Sequence, residues 1–164
     1  MKKYLLISAT VMSSIIVLLG IYTWTQWMDE MMMGGMASGM GSGMMGNMVR
    51  HQYLMRNGLP EEYENWTNPL PSAKETISAG QRLYSINCAS CHGETGAGDG
   101  VAGKALDPPP ANLAALVHMP MASDAYLLWS ISDGGVQFQT TMPPFKAILP
   151  EEDRWRIIVF LQQL

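Results

Sequence analysis

Two cysteines and a histidine place the strongest constraint on this chain. Cys88 and Cys91 are the only cysteines in 164 residues, two residues separate them, and His92 follows directly. This spacing is close for a structural disulfide, so the pair indicates chemistry at the site. A zinc site would need two further ligands, for which only the three histidines, His51, His92 and His118, remain. A redox dithiol of the thioredoxin type would need a βαβ context, and the sequence shows none.

The same residues, Cys88-Ala-Ser-Cys91-His92, form the C-x-x-C-H signature of covalent haem c attachment. Two residues within a helical turn space the thiols so that each can add across one haem vinyl group. His92 then faces the iron from the same side. A haem would also complete the core, because small domains with few helices often need a cofactor, metal or disulfide for stability. We therefore expect one covalent haem c with His92 as the proximal iron ligand.

Helix signals recur from residue 72 to the end of the chain. The capping-box pattern at Ser78 predicts a helix over residues 78–87. Ser123 or the aspartate after it can cap a second helix that ends at Gly134-Gly135. Pro150 suits the first turn of a third helix. Since no run of alternating strand residues is found, the predicted fold class is all-α with long glycine- and proline-rich loops.

A sixth iron ligand has to come from the residues that follow. Met142 is the leading candidate, because the rigid Pro143-Pro144 pair can hold its thioether against the iron. Met119 and Met121 are alternatives that could instead line the haem pocket as flexible thioethers. His118 would give a second histidine ligand. Ligation by histidine and methionine raises the reduction potential relative to more electron-rich ligation.

From residue 78 to residue 164 the sequence resembles class I monohaem cytochromes c. The matching segments, in chain order, are Cys88–Gly93, Gly96–Gly100, Pro108–Leu113, Asp124–Gly135, Met142–Phe145 and a terminal helix with Trp155 and Phe160. The resemblance implies the cytochrome c fold, in which three main helices wrap around one covalently bound haem. It also implies that the first and last helices cross near Gly80 and Tyr84, where the glycine lets the backbones approach.

The resemblance further implies that Pro109 packs beside His92 and that Met142 is the distal ligand. Iron held by both His92 and Met142 has no open position for a substrate. We therefore expect a one-electron carrier rather than an enzyme, alone or as a subunit of a redox enzyme complex. Its partner would be a redox protein or a membrane oxidase or reductase, bound weakly and transiently. A net charge of −4 gives no reason to expect nucleic acid, and no small-molecule substrate is expected.

An uncharged run of 21 residues, Tyr4–Trp24, lies near the start of the chain. It is long enough for a membrane-spanning helix, so residues 1–27 are predicted to be a single-pass anchor. Lysines precede the run at residues 2–3 and acids follow it at residues 29–30. The positive-inside rule then puts the rest of the chain on the periplasmic side of the cytoplasmic (inner) membrane. A cleaved signal peptide is the alternative, although its apolar run would be shorter.

Nine of the 15 methionines fall between Met28 and Met48, among glycines and serines. Residues 28–71 are predicted to be a flexible tether and transitional segment, which leaves residues 72–164 as the cytochrome c domain. Because thioether sulfur selects Cu(I), the tract is also a candidate copper site that His51 could join. The alternative function is then a copper-handling protein whose haem serves copper redox. The candidate copper ligands are Met31, Met32, Met33, Met36, Met40, Met44, Met45 and Met48.

Overall fold

The structure is a computed structural model that describes residues 19–24 and 43–164, with the backbone alone for residues 43–48. Residues 19–24 are helical. The rest of the predicted anchor, residues 1–27, lies outside the described residues. So do five of the candidate copper ligands, Met31, Met32, Met33, Met36 and Met40. Among the helices described, none is both long and apolar enough to cross a membrane.

The described chain is helical and contains no strand, as the sequence predicts. Two single turns of 3₁₀-helix, Gly103–Ala105 and Val136–Phe138, lie between longer elements. The α-helices of residues 43–164 are α1 (Gly43–Asn57), α2 (Lys74–Asn87), α3 (Ala89–His92), α4 (Leu113–Leu116), α5 (Asp124–Asp133) and α6 (Glu151–Leu161).

Helices α2 and α6 cross where Gly80 meets the backbone of Arg156. A Cβ atom built on Gly80 would lie 2.0 Å from the Arg156 carbonyl oxygen, so no larger residue fits without moving a helix. One turn further on, the rings of Tyr84 and Phe160 pack with centroids 5.2 Å apart. The helix crossing that the family resemblance implies is therefore confirmed, and it forms one wall of the core.

Three of the predicted helix ends are confirmed. The Ser123 hydroxyl accepts a hydrogen bond from the Tyr126 amide at 3.2 Å and caps α5. Gly134, with φ of 65°, follows the last residue of α5. Pro150 directly precedes α6, whose first three residues are acidic and so favourable at the positive end of the helix.

The predicted start of α2 at Ser78 is wrong by about one turn. The helix begins at Lys74, and Ala73 before it is extended. The local capping signal fails because nothing in residues 74–77 opposes a helix, and Ile77 packs against the hydrophobic core from the added turn. Tertiary packing therefore overrides the local cap signal at this position.

The sequence predicts a tether and transitional segment over residues 28–71 and a cytochrome c domain that starts at residue 72. In the structure, one compact unit spans residues 42–164, so it includes residues that precede residue 72. Helix α1 lies in this unit. The Tyr53 ring packs 5.8 Å from Trp129 and 5.3 Å from Phe138, between ring centroids. Residues 43–57 are therefore helix rather than flexible tether, and the Tyr53 ring of this helix has a partner, Trp129, on α5.

The segment between α1 and α2 is also fixed to the core. The Tyr63 hydroxyl donates to an Asp133 carboxylate oxygen at 2.6 Å, and the Tyr63 side chain is buried. The Asn68 amide N–H donates to Asp124 at 2.8 Å, and its side-chain amide donates to the Trp155 carbonyl at 3.1 Å. These bonds reach both α5 and α6, so this segment is part of the domain.

Candidate haem site

A cavity of about 320 Å³ lies between the helices of the second unit. This volume is typical of small-molecule and cofactor sites. The five residues predicted to hold the haem, Cys88, Cys91, His92, Pro109 and Met142, all line it. Much of the remaining wall is apolar, including Leu106, Leu113, Leu116, Leu127, Ile131 and Phe145.

One turn of helix brings the two thiols and the imidazole to the same cavity. Cys88 ends α2, and its carbonyl oxygen accepts the backbone N–H of His92 at 2.9 Å. Both cysteines are free thiols. Burial, and then the neighbouring Cys91, raise the pKa of the Cys88 thiol to about 12. The raised pKa keeps the Cys88 thiol protonated at neutral pH, which does not favour the thiolate that dithiol redox chemistry and zinc binding need.

The ring of His92 is oriented by a backbone carbonyl. Its Nδ1 atom lies 3.0 Å from the carbonyl oxygen of Ala111. A carbonyl can only accept, so Nδ1 carries the proton and Nε2 keeps its lone pair. Burial lowers the pKa of His92, which favours the neutral ring. A neutral imidazole with its second nitrogen held in a hydrogen bond is the usual form of a histidine metal ligand.

Ala111 is a residue that the sequence prediction missed. Pro109, which the family resemblance places beside His92, lines the cavity, and the acceptor for His92 is two residues further on. The backbone directly after Ala111 is held by two hydrogen bonds. Asn112 caps α4 by accepting the Ala115 amide at 2.9 Å, and the Leu113 amide donates to the Gly96 carbonyl at 2.6 Å. The three prolines before Ala111 were the one sequence feature that could have indicated a rigid backbone acceptor here.

Met142 is held by the end of α5. Its carbonyl oxygen accepts the Gly135 amide at 2.9 Å. Gly134 has φ of 65°, and a Cβ atom built there would lie 2.6 Å from the same oxygen. Only glycine allows this approach, so Gly134 both ends α5 and brings the Met142 loop to the cavity.

The other candidates for the sixth ligand lie elsewhere. Met119, Met121 and His118 are absent from the cavity lining. Met119 has 47% of its surface exposed, and His118 is exposed as well. Met121 instead contacts His51, with 3.1 Å between the sulfur and the Nδ1 atom. Of these four candidates, Met142 alone shares the cavity with His92.

The sequence prediction also missed four polar residues that line the cavity. They are Arg50, Ser130, Thr140 and Thr141. Arg50 comes from α1, within the segment predicted to be a tether. Its burial depends on contacts with residues far along the chain, which a single sequence does not reveal.

The side chains around the cavity fit haem c. Two free thiols suit thioether attachment, a neutral imidazole and a thioether suit the two faces of an iron porphyrin, and the apolar walls suit its macrocycle. Among the residues that the structure describes, no group of three or more His, Cys, Asp or Glu side chains could hold a bare metal ion.

The helical fold and this set of side chains around one apolar cavity are those of a c-type cytochrome. The family model of cytochrome c oxidase, cbb3-type, subunit III matches residues 75–161. The chain therefore belongs to this family, and its membership implies haem c and electron transfer.

None of the curated proteins matches the chain. Among solved structures, it is similar to a chain of the reducing HAO-like protein complex of Kuenenia stuttgartiensis. The two are 23% identical with a TM-score of 0.51, over 68% of this chain and 53% of the other. This likeness concerns the fold, and the match spans about half the length of that protein.

Proposed function

We propose that the protein is a one-electron carrier in which Cys88 and Cys91 attach one haem c and His92 and Met142 are its axial ligands. One observation carries the proposal. The two thiols, a neutral imidazole with its Nε2 lone pair free and the Met142 thioether all line one cavity. Haem c, when bound, supplies an iron that gains and loses one electron.

The residues of the chain have separate tasks in this proposal. The Ala111 carbonyl fixes the tautomer of His92, so that Nε2 keeps the lone pair that would bind iron. The Gly134-Gly135 turn holds Met142 at the same cavity, and the sulfur would occupy the second axial position. The apolar part of the wall would pack against the haem macrocycle. If His92 and Met142 both bind the iron, no coordination position would remain open for a substrate.

Carbon monoxide distinguishes this closed site from an open one. The purified holoprotein should follow a one-electron redox titration, and its ferrous form should not bind carbon monoxide at moderate concentration. Met142→Ala should bind it, because the variant opens one axial position, whereas Met119→Ala should behave like the wild type. Rapid binding by the wild-type protein would instead indicate an open site, as in an enzyme or gas sensor.

We also propose that the protein works at the periplasmic face of the cytoplasmic membrane, where it exchanges electrons with a redox protein or a membrane oxidase or reductase. The uncharged run Tyr4–Trp24, with lysines before it and acids after it, supports this location. Alkaline carbonate washing of native membranes tests it. The proposal expects the protein to stay with the membrane, and release of the protein would contradict an anchor.

A second candidate function is copper handling, in which the haem serves copper redox. One contact favours it. The Nδ1 atom of His51 lies 3.1 Å from the sulfur of Met121, so an imidazole and a thioether already meet on the surface. Imidazole and thioether ligands suit copper, and thioethers favour Cu(I). The methionines Met44, Met45 and Met48 precede His51 on α1.

Cu(I) titration of the full-length protein tests this second candidate. In competition with a chelator, the wild-type protein should bind one Cu(I) ion more tightly than either variant, His51→Ala or Met121→Ala, does. Met119→Ala is the matched control, because Met119 is exposed and does not contact His51. Equal affinity in all variants would exclude a site at His51.

A further inference from the structure

A buried arginine reaches the haem cavity from outside the part of the chain that matches the family. Arg50 lies on α1, whereas the family match begins at residue 75. Only 7% of Arg50 is exposed, and the residue lines the cavity. A guanidinium remains charged under ordinary conditions, so α1 places a fixed positive charge at the cavity wall.

The groups that contact the Arg50 guanidinium are uncharged. The Arg50 guanidinium donates to the Ser130 hydroxyl at 3.1 Å and to the Gly134 carbonyl at 2.5 Å. Its Cζ atom lies 5.0 Å from the centre of the Trp129 ring and 4.8 Å from that of Phe138. These contacts fix its position, and none of the groups that make them carries a negative charge.

No carboxylate of the described residues neutralises Arg50. Within residues 19–24 and 43–164, no Asp or Glu oxygen lies within 4.0 Å of it. The carboxylate whose charge acts on it most, Asp133, is bound to the Tyr63 hydroxyl at 2.6 Å. A buried charge is costly unless it is paired, so an anion should meet Arg50 from the cavity side.

The chemistry of the cavity indicates which anion this is. Its walls are largely apolar, and four of its polar residues, Arg50, Ser130, Thr140 and Thr141, come from α1, α5 and the loop after α5. Haem has the matching character, with an apolar macrocycle and two carboxylate side chains at one edge. We propose that Arg50 binds a haem propionate and stabilises the reduced iron. This inference rests on the proposed haem binding.

The proposal makes α1 a determinant of the redox equilibrium. A positive charge held near the iron in a medium of low dielectric constant favours the ferrous state, which carries one positive charge fewer. Guanidinium also forms two-point hydrogen bonds with carboxylates that lysine cannot match. A purely structural Arg50 would support the packing of α1 and leave the potential unchanged.

Redox titration of the full-length holoprotein tests the proposal. At a fixed solution potential, Arg50→Gln should lower the ferrous-to-ferric ratio about tenfold, equivalent to about 59 mV for one electron. Arg50→Lys should recover most of that loss. Arg56→Gln is the matched control, because it removes the same charge from an exposed position on the same helix. An Arg50→Gln shift no larger than the control shift would overturn the proposal.

A measurement on the wild-type protein covers the case in which Arg50→Gln does not fold. With ¹⁵N-labelled arginine, the side-chain N–H signals of Arg50 should move between the ferrous and paramagnetic ferric forms far more than those of Arg56. Equal shifts would overturn the proposal. A different observation would refute the proposed function: a purified protein without a haem spectrum would show that the chain does not bind haem.

Discussion

The Nδ1 atom of His92 lies 3.0 Å from the carbonyl oxygen of Ala111, and this contact determines what the imidazole can do. Since the carbonyl accepts, the proton sits on Nδ1 and the lone pair of Nε2 is free for iron. The acceptor belongs to a loop held by the Asn112 cap. The chemistry of the site therefore depends on a residue that carries no functional group in its side chain.

The cap beside Ala111 gives the first prediction. Asn112→Ala should destabilise the protein by about 1 kcal/mol, because the Ala115 amide loses its acceptor at the start of α4. Asn112→Ser keeps a capping oxygen and should recover most of the loss. Denaturant unfolding of the two holoproteins measures the difference. Equal destabilisation by both variants would show that the cap is not the cause.

The helix crossing gives the second prediction. Gly80→Ala should cost about 1–3 kcal/mol, because the added Cβ would meet the Arg156 carbonyl oxygen and push α2 from α6. This cost should exceed the gain of less than about 1 kcal/mol that alanine brings to a helix. Arg82→Ala, exposed on the same helix, should stay within about 0.5 kcal/mol of the wild type. A more stable Gly80→Ala protein would contradict the close crossing.

The bond between Tyr63 and Asp133 gives the third prediction. Tyr63→Phe should lower the free energy of unfolding by about 1–3 kcal/mol at neutral pH, because the buried hydroxyl donates to a carboxylate. Tyr53→Phe is the control, since Tyr53 is partly exposed and its ring contacts are kept. A loss of equal size in both variants would show that the hydrogen bond is not the cause.

The same residue predicts a pH dependence. Burial, and then the hydrogen bond to Asp133, raise the pKa of Tyr63 above its ordinary value of 10.0. The folded protein therefore holds this proton more tightly than the unfolded chain. Its contribution to stability is complete below pH 10 and is lost as the pH rises through the raised pKa. The alkaline fall in unfolding free energy should be smaller in Tyr63→Phe, and an unchanged fall would contradict this account.

Most features that depend on nearby residues were predictable from the sequence, although the capping signal at Ser78 was misleading. Ser123, Gly134 and Pro150 set helix ends within one turn of themselves, and these ends are confirmed. The spacing within the Cys88–His92 motif is set by a single helical turn, and its two cysteines and histidine all line the cavity. In each case the physical cause is local: a side-chain cap, a positive φ, a fixed ring or one helical turn.

Features that depend on distant partners were not predictable in this way. Helix α1 exists as part of the domain because Tyr53 packs on Trp129, far along the chain. The burial of Arg50 has the same origin. The Ala111 carbonyl was missed because its role belongs to the backbone, and a backbone acceptor leaves no mark on residue type.

The ferric absorption spectrum tests the central claim, that Met142 completes the ligation of the haem, most directly. A bond between methionine sulfur and ferric iron gives a weak band near the red end of the visible spectrum. The account predicts this band in the wild-type protein and in Met121→Ala, which alters a methionine outside the cavity, and its loss in Met142→Ala. A band that survives in Met142→Ala, or is lost in Met121→Ala, would contradict the account.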